Sequence, residues 1–244
     1  IGVDKTCGFG TTGWTPVTGD WDGNGVSDIG VYRAGAWYLD LNGDGVFGEG
    51  DMNFAFGTTG WTPVIGDFNR DGKDEVAIYR WGSWYIDYTG DGKWGTGDEN
   101  FGFGDVNWTP IAGQWKYDSD SSLSSKDKIG VYKEGAWYLD MDGKGKWSEG
   151  DMNFAFGAPG WTPVLGDWTG DGTTKVGVYK DGGWYLDMDG DGTWDAGDKV
   201  YTFGSAGYEP VVGDWTADGK TEIGVSNGGS WYLDSNGDGT FNAG

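Results

Sequence analysis

Short apolar stretches alternate with polar turns along the whole chain. The stretches are rich in Val, Ile, Tyr, Trp and Phe, which favour β-strands, and Gly, Asn and Asp cluster between them. No stretch combines the apolar spacing of an amphipathic helix with capping residues at its ends. In the first part of the chain, strands are predicted near Thr15–Trp21, Asp28–Arg33, Ala36–Leu41 and Met52–Phe56. The pattern therefore predicts an all-β protein.

The strand pattern recurs at a fixed interval, which the dipeptide Phe-Gly marks. Its phenylalanines are Phe9, Phe56, Phe103, Phe156 and Phe203, at steps of 47, 47, 53 and 47 residues. Four short strands in a repeat of this length are typical of one blade of a β-propeller. We predict a five-bladed β-propeller of four-stranded blades, one domain over residues 1–244; a β-solenoid is the alternative. The predicted repeats are residues 10–56, 57–103, 104–156, 157–203, and 204–244 together with 1–9.

The two chain ends share one repeat. In the fourth repeat, Asp198 and Lys199 precede Phe203, whereas the fifth repeat stops at Gly244 before this segment. Its counterpart lies at the other terminus, where Asp4 leads to Phe9 with the same spacing. We therefore predict a ring that the N-terminal strand closes by completing the fifth blade.

Each repeat has an acidic loop after its first strand, which we call the first-class loop. Oxygen-bearing side chains occupy loop positions 1, 3, 5 and 9, and glycine at position 6 allows a turn that presents the carbonyl of position 7. Calcium prefers six to eight such hard oxygen ligands. The predicted ligands are Asp20, Asp22, Asn24, Asp28 and the Val26 carbonyl; Asp67, Asn69, Asp71, Glu75 and the Lys73 carbonyl; and Asp214, Thr216, Asp218, Glu222 and the Lys220 carbonyl.

Two repeats depart from this pattern. The fourth retains Asp167, Thr169 and Asp171 as predicted ligands but has Lys175 at position 9. The third has Gln114 and Lys116 in place of the first ligands and a serine-rich insertion that runs to Lys128. We expect no ion in the third loop.

A second-class loop of twelve residues follows the third strand of each repeat. In four repeats its oxygen-bearing positions 1, 3, 5 and 12 match the spacing of the helix-flanked calcium loop, with Asp instead of Glu at the end. The predicted ligands are Asp40, Asn42, Asp44 and Asp51; Asp87, Thr89, Asp91 and Asp98; Asp187, Asp189, Asp191 and Asp198; and Asp234, Asn236 and Asp238 with Asp4 from the other terminus. In the third repeat, Lys144 stands between Asp142 and Asp151 and is a cation that could replace the metal. The alternative is a plain hairpin turn of Asn-Gly or Asp-Gly type, which does not explain the acid at position 12.

The charge balance agrees with bound cations. The chain has 16 basic and 39 acidic residues, no histidine, and a net charge of -23. Nucleic acids and anionic membranes need a basic surface, so the charge argues against both as partners. No apolar run is long enough to span a membrane. Carboxylates concentrated in loops repel one another unless cations neutralise them.

Tryptophan and tyrosine recur in two columns. Trp37 and its equivalents Trp84, Trp137, Trp184 and Trp231 lie in predicted strands, which indicates packing between blades. A second column lies in loops, two residues before proline, and could stack on sugar rings or could instead cap the gap between blades. Its members are Trp14, Trp61, Trp108, Trp161 and Tyr208.

The runs Gly19–Gly25 and Asp28–Tyr32, with the recurring Phe-Gly, resemble the FG-GAP and VCBS repeats of integrin α-chain propellers and of secreted microbial proteins. The resemblance implies calcium in the first-class loops, an extracellular or cell-surface location, and a role in adhesion or in carbohydrate or protein recognition. Five repeats instead of the seven of integrins, and the altered third loop, are departures. The second-class loops resemble those of dockerin modules, but the dockerin helices are missing, so no cohesin partner is implied.

Catalysis has little support in the sequence. Without histidine and with Cys7 as the only cysteine, the usual general base and thiol nucleophile are missing. The acidic residues repeat in every blade, whereas a catalytic pair should be singular. We expect no enzymatic activity and predict a calcium-binding recognition module for glycans or a surface partner. The alternative is a calcium-stabilised structural subunit or spacer of a surface layer, an appendage or a larger secreted protein, with assembly through a strand edge or the insertion at Ser119–Ser125.

Overall fold

The computed structural model describes residues 4–115 and 126–242. Lys116 and the segment Ser119–Ser125 lie outside these residues. The described residues form β-strands and no helix, and so none that could cross a membrane. In chain order the strands are β1 (Lys5–Gly8), β2 (Thr15–Gly19), β3 (Asp28–Arg33), β4 (Ala36–Leu39), β5 (Met52–Ala55), β6 (Thr62–Gly66), β7 (Glu75–Arg80), β8 (Ser83–Ile86), β9 (Glu99–Gly102), β10 (Thr109–Gly113), β11 (Lys128–Lys133), β12 (Ala136–Leu139), β13 (Met152–Ala155), β14 (Thr162–Gly166), β15 (Lys175–Lys180), β16 (Gly183–Leu186), β17 (Lys199–Thr202), β18 (Glu209–Gly213), β19 (Glu222–Asn227) and β20 (Ser230–Leu233).

The strands form five antiparallel sheets of four, which confirms the all-β propeller prediction. The sheets are β2–β5, β6–β9, β10–β13, β14–β17, and β18–β20 with β1 as the fourth strand. The first strands β2, β6, β10, β14 and β18 contact one another in a closed ring. Some predicted strands overran by one or two residues, because Asp20 and Asp40 turn the chain into loops immediately after β2 and β4.

The N-terminal strand closes the ring as predicted. Strand β1 pairs with β20, with Cys7 opposite Trp231. The Trp231 indole Nε1 donates a hydrogen bond of 2.9 Å to the Phe9 carbonyl. The covalently separate ends of the chain therefore share one blade and its core.

The strand tryptophans are packing residues, as their column predicts. All five are 0% exposed, and each Nε1 donates to the carbonyl of a Phe-Gly phenylalanine at 2.8–2.9 Å. Trp84 packs with Ile129 and Val131 of the next blade. The hydrophobic core therefore lies between the blades.

The glycine of Phe-Gly turns the chain into the next blade. Gly10 has a φ of 83°, and a Cβ there would lie 2.7 Å from Val31 Cγ1. Both the left-handed conformation and the tight contact require glycine.

Strand direction separates the two kinds of connection. Because each sheet is antiparallel, the first-class and second-class loops leave the blades at one end, which we call the acidic face. The short turns and the loops that join successive blades lie at the opposite end, the turn face. The Trp14 column begins at the turn face.

Candidate metal loops and inter-blade clefts

The acidic loops share a regular set of side-chain-to-backbone hydrogen bonds. In the first blade, Asp20 Oδ2 accepts from Gly25 N at 2.8 Å, Asp22 Oδ1 from Asn24 N at 3.0 Å, and Asn24 Oδ1 from Val26 N at 2.7 Å. The second-class loops repeat the first of these bonds, as between Asp40 Oδ2 and Gly45 N at 2.7 Å. These bonds curl the backbone of each loop around its first aspartate.

Several predicted ligands lie close enough to share a cation. Within each set, one oxygen per residue lies within 4.8 Å of the others. Three sets consist of predicted ligands: Asp67, Asp71 and Glu75; Asp187, Asp189 and Asp198; and Asp214, Asp218 and Glu222. Two include residues that were not predicted: Asp140, Asp142 and Asp151 of the third blade, and Asp195 beside Asp189 and Asp191.

Buried carboxylates at the loop ends fit a divalent cation. Burial raises the pKa of Asp28 to about 7, of Glu75 to about 8 and of Glu222 to about 7. Asp28 Oδ2 and Asp40 Oδ1 are buried and, among the described residues, have no hydrogen-bond partner. A buried carboxylate without a partner destabilises the fold, whereas coordination to a hard cation removes that penalty.

The fourth first-class loop already holds a positive charge. Lys175 is buried, with its Nζ 2.7 Å from Asp171 Oδ1 and 3.2 Å from Asp167 Oδ1. It also donates to the Thr173 carbonyl at 3.2 Å. The ammonium therefore contacts loop positions 1, 5 and 7, where the sequence placed an ion among Asp167, Thr169 and Asp171. Its hydrogen bond lowers the pKa of Asp171.

The third blade also has lysines in place of metal ligands. Lys128 is buried and its Nζ donates to the Met141 carbonyl at 2.8 Å. In the second-class loop, Lys144 Nζ lies 2.6 Å from Asp142 Oδ2. The Lys144 ammonium therefore lies beside Asp142, the acid at position 3 of its loop, although the Lys144 side chain is 61% exposed.

In each second-class loop, the carboxylate at position 12 accepts a hydrogen bond from the backbone N of the residue at position 9. Asp51 Oδ2 accepts from Gly48 N at 2.6 Å, and Asp98 Oδ2 from Gly95 N at 2.6 Å. In the last loop, Asp4 Oδ2 accepts from Asn242 N at 2.5 Å. Asp4 thus occupies the position that the ring alignment predicts, and its role as a metal ligand stays a prediction.

The second-class loops lean against the preceding blade. A Cβ on Gly92, at position 6, would lie 2.7 Å from Phe54 Cγ of the first blade. The other four loops make the same approach, in the pairs Gly45 with Cys7, Gly145 with Phe101, Gly192 with Phe154 and Gly239 with Tyr201. Loop order and blade packing are therefore linked.

This approach places an exposed aromatic ring, at position 8 of the loop, beside the gap between two blades. These loop aromatics are 42–51% exposed: Phe47, Trp94, Trp147, Trp194 and Phe241. Sequence analysis missed them, although an aromatic at position 8 in every second-class loop was a visible signal.

Each loop aromatic belongs to a cluster that we call an inter-blade cleft. At the first, ring centroids are 5.3 Å apart for Trp14 and Tyr38, and 5.1 Å for Tyr38 and Phe47. The other four clefts combine Trp61, Tyr85 and Trp94; Trp108, Tyr138 and Trp147; Trp161, Tyr185 and Trp194; and Tyr208, Tyr232 and Phe241. The Trp14 column is half-buried, so its rings both pack against a blade and reach the surface.

The first cleft encloses a cavity of about 370 Å³. Phe9, Trp14, Val31, Tyr38 and Phe47 line it. Its wall is largely aromatic and aliphatic, and the Phe47 ring, which is 45% exposed, is part of it.

A ring of reciprocal hydrogen bonds joins the first-class loops around the axis. Asp74 N donates to the Asp20 carbonyl at 2.9 Å, and Asp74 Oδ2 accepts from Asp20 N at 2.7 Å. Residues equivalent to Asp74 repeat this exchange at every junction: Ser27, Asp127, Thr174 and Thr221. Sequence analysis also missed this column, because its residue type varies.

No family model matches the chain, and no curated protein matches it. A solved structure of an Agrocybe aegerita lectin, described for its specific recognition of non-reducing terminal N-acetylglucosamine, is similar with 17% sequence identity and a TM-score of 0.48. The similarity covers 99% of this chain and 75% of that chain. We draw no functional conclusion from a similarity at this level.

Proposed function

We propose that this chain is a calcium-binding recognition module that binds glycans in its five inter-blade clefts. The observation that carries the proposal is the exposed ring of the loop aromatics, repeated at all five junctions. Exposed aromatic side chains at equivalent positions indicate a binding surface rather than a core. Aromatic faces pack against the C–H groups of pyranose rings, and several such rings together form a cleft for one sugar.

Calcium bound in the second-class loops would increase the affinity of the clefts for a glycan. Each loop carries both the acidic ligand positions and the loop aromatic, so an ion that orders the loop also orients the ring. Binding of the ion to the folded state would also stabilise the blade by mass action. In the first-class loops we assign ions to the first, second and fifth blades, and none to the fourth, where Lys175 supplies the charge.

An extracellular or cell-surface setting belongs to the same proposal. Extracellular calcium modules operate with dissociation constants of roughly 10⁻⁴–10⁻³ M, which suits loops with few ligands. The first-class loops and Phe-Gly turns support a relation to FG-GAP and VCBS repeats. Five clefts on one rigid ring would bind a multivalent surface more tightly than a single sugar.

A glycan array tests this function, run in millimolar calcium and in chelator. We expect calcium-dependent hits that weaken when Trp94, Trp147 and Trp194 are changed together to Ala. The matched control is Trp81→Ala, because Trp81 is 61% exposed but lies on a turn-face hairpin outside the clefts. A blank array from folded protein, or equal binding by both variants, would contradict the proposal and favour the structural subunit.

A further inference from the structure

The junction between the fifth and first blades differs from the other four. At those four, the tyrosine near the end of the second strand donates a hydrogen bond to the carbonyl of the loop that joins the two blades. The pairs are Tyr32 with Thr58 at 3.3 Å, Tyr79 with Asp105 at 2.7 Å, Tyr132 with Ala158 at 3.3 Å and Tyr179 with Ser205 at 3.0 Å. The fifth blade has Ser226 at this position, which is too short to reach the loop.

The missing tyrosine leaves a cavity of about 230 Å³ at the turn face of this junction. Ser226 lies at its inner wall, and Thr12, Trp14, Glu209 and Asn227 are among the residues that line it. Ser226 is 5% exposed, whereas Thr12, Glu209 and Asn227 reach solvent at the cavity mouth. The cavity therefore reaches solvent and is accessible to a ligand.

A second departure adds an acid to the same cavity. The residue before the proline of the first strand is threonine in four blades and Glu209 in the fifth. Although part of this side chain reaches solvent, desolvation raises the pKa of Glu209. Within the described residues, no side-chain hydrogen bond engages the Ser226 hydroxyl, the Glu209 carboxylate or the Asn227 amide. The cavity thus presents one carboxylate, one amide and one hydroxyl that lack partners in the described part of the chain.

The cavity adjoins the first inter-blade cleft. Trp14 lines both the 230 Å³ cavity and the 370 Å³ cavity, as do Phe9 and Thr11. A ligand at this junction can therefore contact aromatic rings on one side of Trp14 and hydrogen-bonding groups on the other. Polar groups that converge beside an apolar wall are the usual composition of a small-molecule site.

We propose that this cavity is a unique sugar subsite that makes the closure junction the strongest of the five clefts. This inference rests on the proposed glycan function and selects an uncharged pyranose residue. The Glu209 carboxylate can accept hydrogen bonds from adjacent sugar hydroxyls, and the Asn227 amide can both donate and accept. None of the described residues that line the cavity is basic, and the chain carries a net charge of -23. Both properties disfavour an acidic sugar.

Calorimetric titration tests the subsite with methyl mannoside, methyl galactoside, N-acetylglucosamine and glucuronic acid as probes. For at least one neutral probe, we expect one site per chain with an affinity at least tenfold higher than that of the other four clefts. Ser226→Tyr and Glu209→Thr each introduce the residue that the other blades carry. We expect Ser226→Tyr to remove the tight site and Glu209→Thr to weaken it about tenfold, which equals ~1.4 kcal/mol.

The variants separate this inference from the proposed function. If the triple loop-aromatic variant loses binding while Ser226→Tyr and Glu209→Thr bind as wild type, the five-cleft function stands and the subsite is overturned. If the two closure variants lose the tight site while the triple variant retains all binding, the subsite stands and the five-cleft function fails. Tightest binding of glucuronic acid, or no binding of any probe at millimolar concentration, overturns the subsite. Thermal unfolding of each variant establishes that it is folded.

Discussion

Position 9 of the first-class loops carries Asp28, Glu75 and Glu222 in three blades and Lys128 and Lys175 in the other two. All five side chains are buried. A buried carboxylate among other carboxylates raises the free energy of the folded state, whereas a buried ammonium among them supplies the missing charge. At the residue scale, this position separates the three loops that carry a buried acid there from the fourth loop, in which Lys175 supplies a positive charge.

Replacement of Lys175 should convert the fourth loop into a metal loop. We expect Lys175→Glu to bind one more calcium ion per chain than wild type, because Asp167 and Asp171 keep their places and Glu restores the ninth ligand. In chelator the same variant should be less stable than wild type by about 1–3 kcal/mol, since the acids lose their hydrogen-bonded partner. Equilibrium dialysis and chemical unfolding measure the two effects.

Lys175→Met is the control for this change. It removes the ammonium without adding a ligand, so it should be destabilised in calcium and in chelator alike. If Lys175→Glu binds the same number of calcium ions as wild type, the Lys175 ammonium does not stand in the place of a calcium ion.

The buried acids should also make the metal-free protein sensitive to pH. Asp28, Glu75 and Glu222 have folded-state pKa values of about 7, about 8 and about 7, above their unfolded values of about 4. The folded state therefore binds protons more tightly than the unfolded state, and the free energy of unfolding should rise as pH falls from about 8 towards about 5. Thermal unfolding of metal-stripped protein across this range measures the trend.

Calcium should reverse that trend, because protons compete with the ion for the same oxygens. With calcium present, the melting temperature should fall as the pH is lowered over the same range. A metal-free protein whose melting temperature is flat, or rises with pH, would contradict the assignment of these acids as buried carboxylates with raised pKa values.

At the scale of elements, the second-class loop is both a connection and a contact between blades. Its position 1 aspartate is 1% exposed in every blade, and its position 6 glycine touches the fourth strand of the blade before it. Its position 8 side chain completes the inter-blade cleft. The same short segment thus supplies the buried aspartate, the contact with the preceding blade and the aromatic ring of the cleft. A substitution that disturbs the loop should therefore affect both blade packing and ligand binding.

Two glycines of one loop test this contact. Gly92 has a φ of 72° and lies against Phe54, whereas a Cβ added at Gly95 would meet no described atom within 4 Å, and Gly95 is not in the left-handed region. We expect Gly92→Ala to reduce the free energy of unfolding by about 2–4 kcal/mol, from backbone strain and overpacking. Gly95→Ala should be neutral. Similar stabilities of the two variants in chemical unfolding would refute the packing role.

At the scale of the whole molecule, the ring is closed without a covalent bond between its ends. The closure uses the β1–β20 pairing, the Trp231 indole on the Phe9 carbonyl, and Asp4 in the last second-class loop. The axial ring of reciprocal hydrogen bonds also crosses this junction, from Asp214 to Ser27. Opening the junction would expose the core surfaces of two blades at once.

Asp4→Ala should therefore cost more stability than the equivalent change in a loop whose ends are held by the chain. Asp51→Ala is the matched control, because Asp51 makes the same bond to the ninth residue of its loop. We expect a larger fall in melting temperature for Asp4→Ala, and a larger fall in calcium than in chelator. An equal loss in both conditions would rule out Asp4 as a ligand that completes a metal site.

The amino-acid sequence alone was sufficient for the strands, the five repeats and the closure. Strand pattern and turn residues are local properties of the chain. The constant length of the repeats then assigns the segment that begins at Asp4 to the same repeat as Gly244. The curl of the acidic loops is also a local property, since residues two to five apart make the hydrogen bonds that shape each loop. The spacing of the repeats is enough to assign Asp4 to the last second-class loop.

Only the tertiary structure decided which side chains from distant segments of the chain meet. Trp14 and Phe47 belong to distant loops at opposite ends of a blade, and their cleft forms because the second-class loop leans over the gap. Whether Lys175 points to solvent or into its loop depends on burial by the surrounding strands. The Ser226 cavity exists because a neighbouring blade holds its wall in place, so its volume depends on contacts between segments and not on any local pattern.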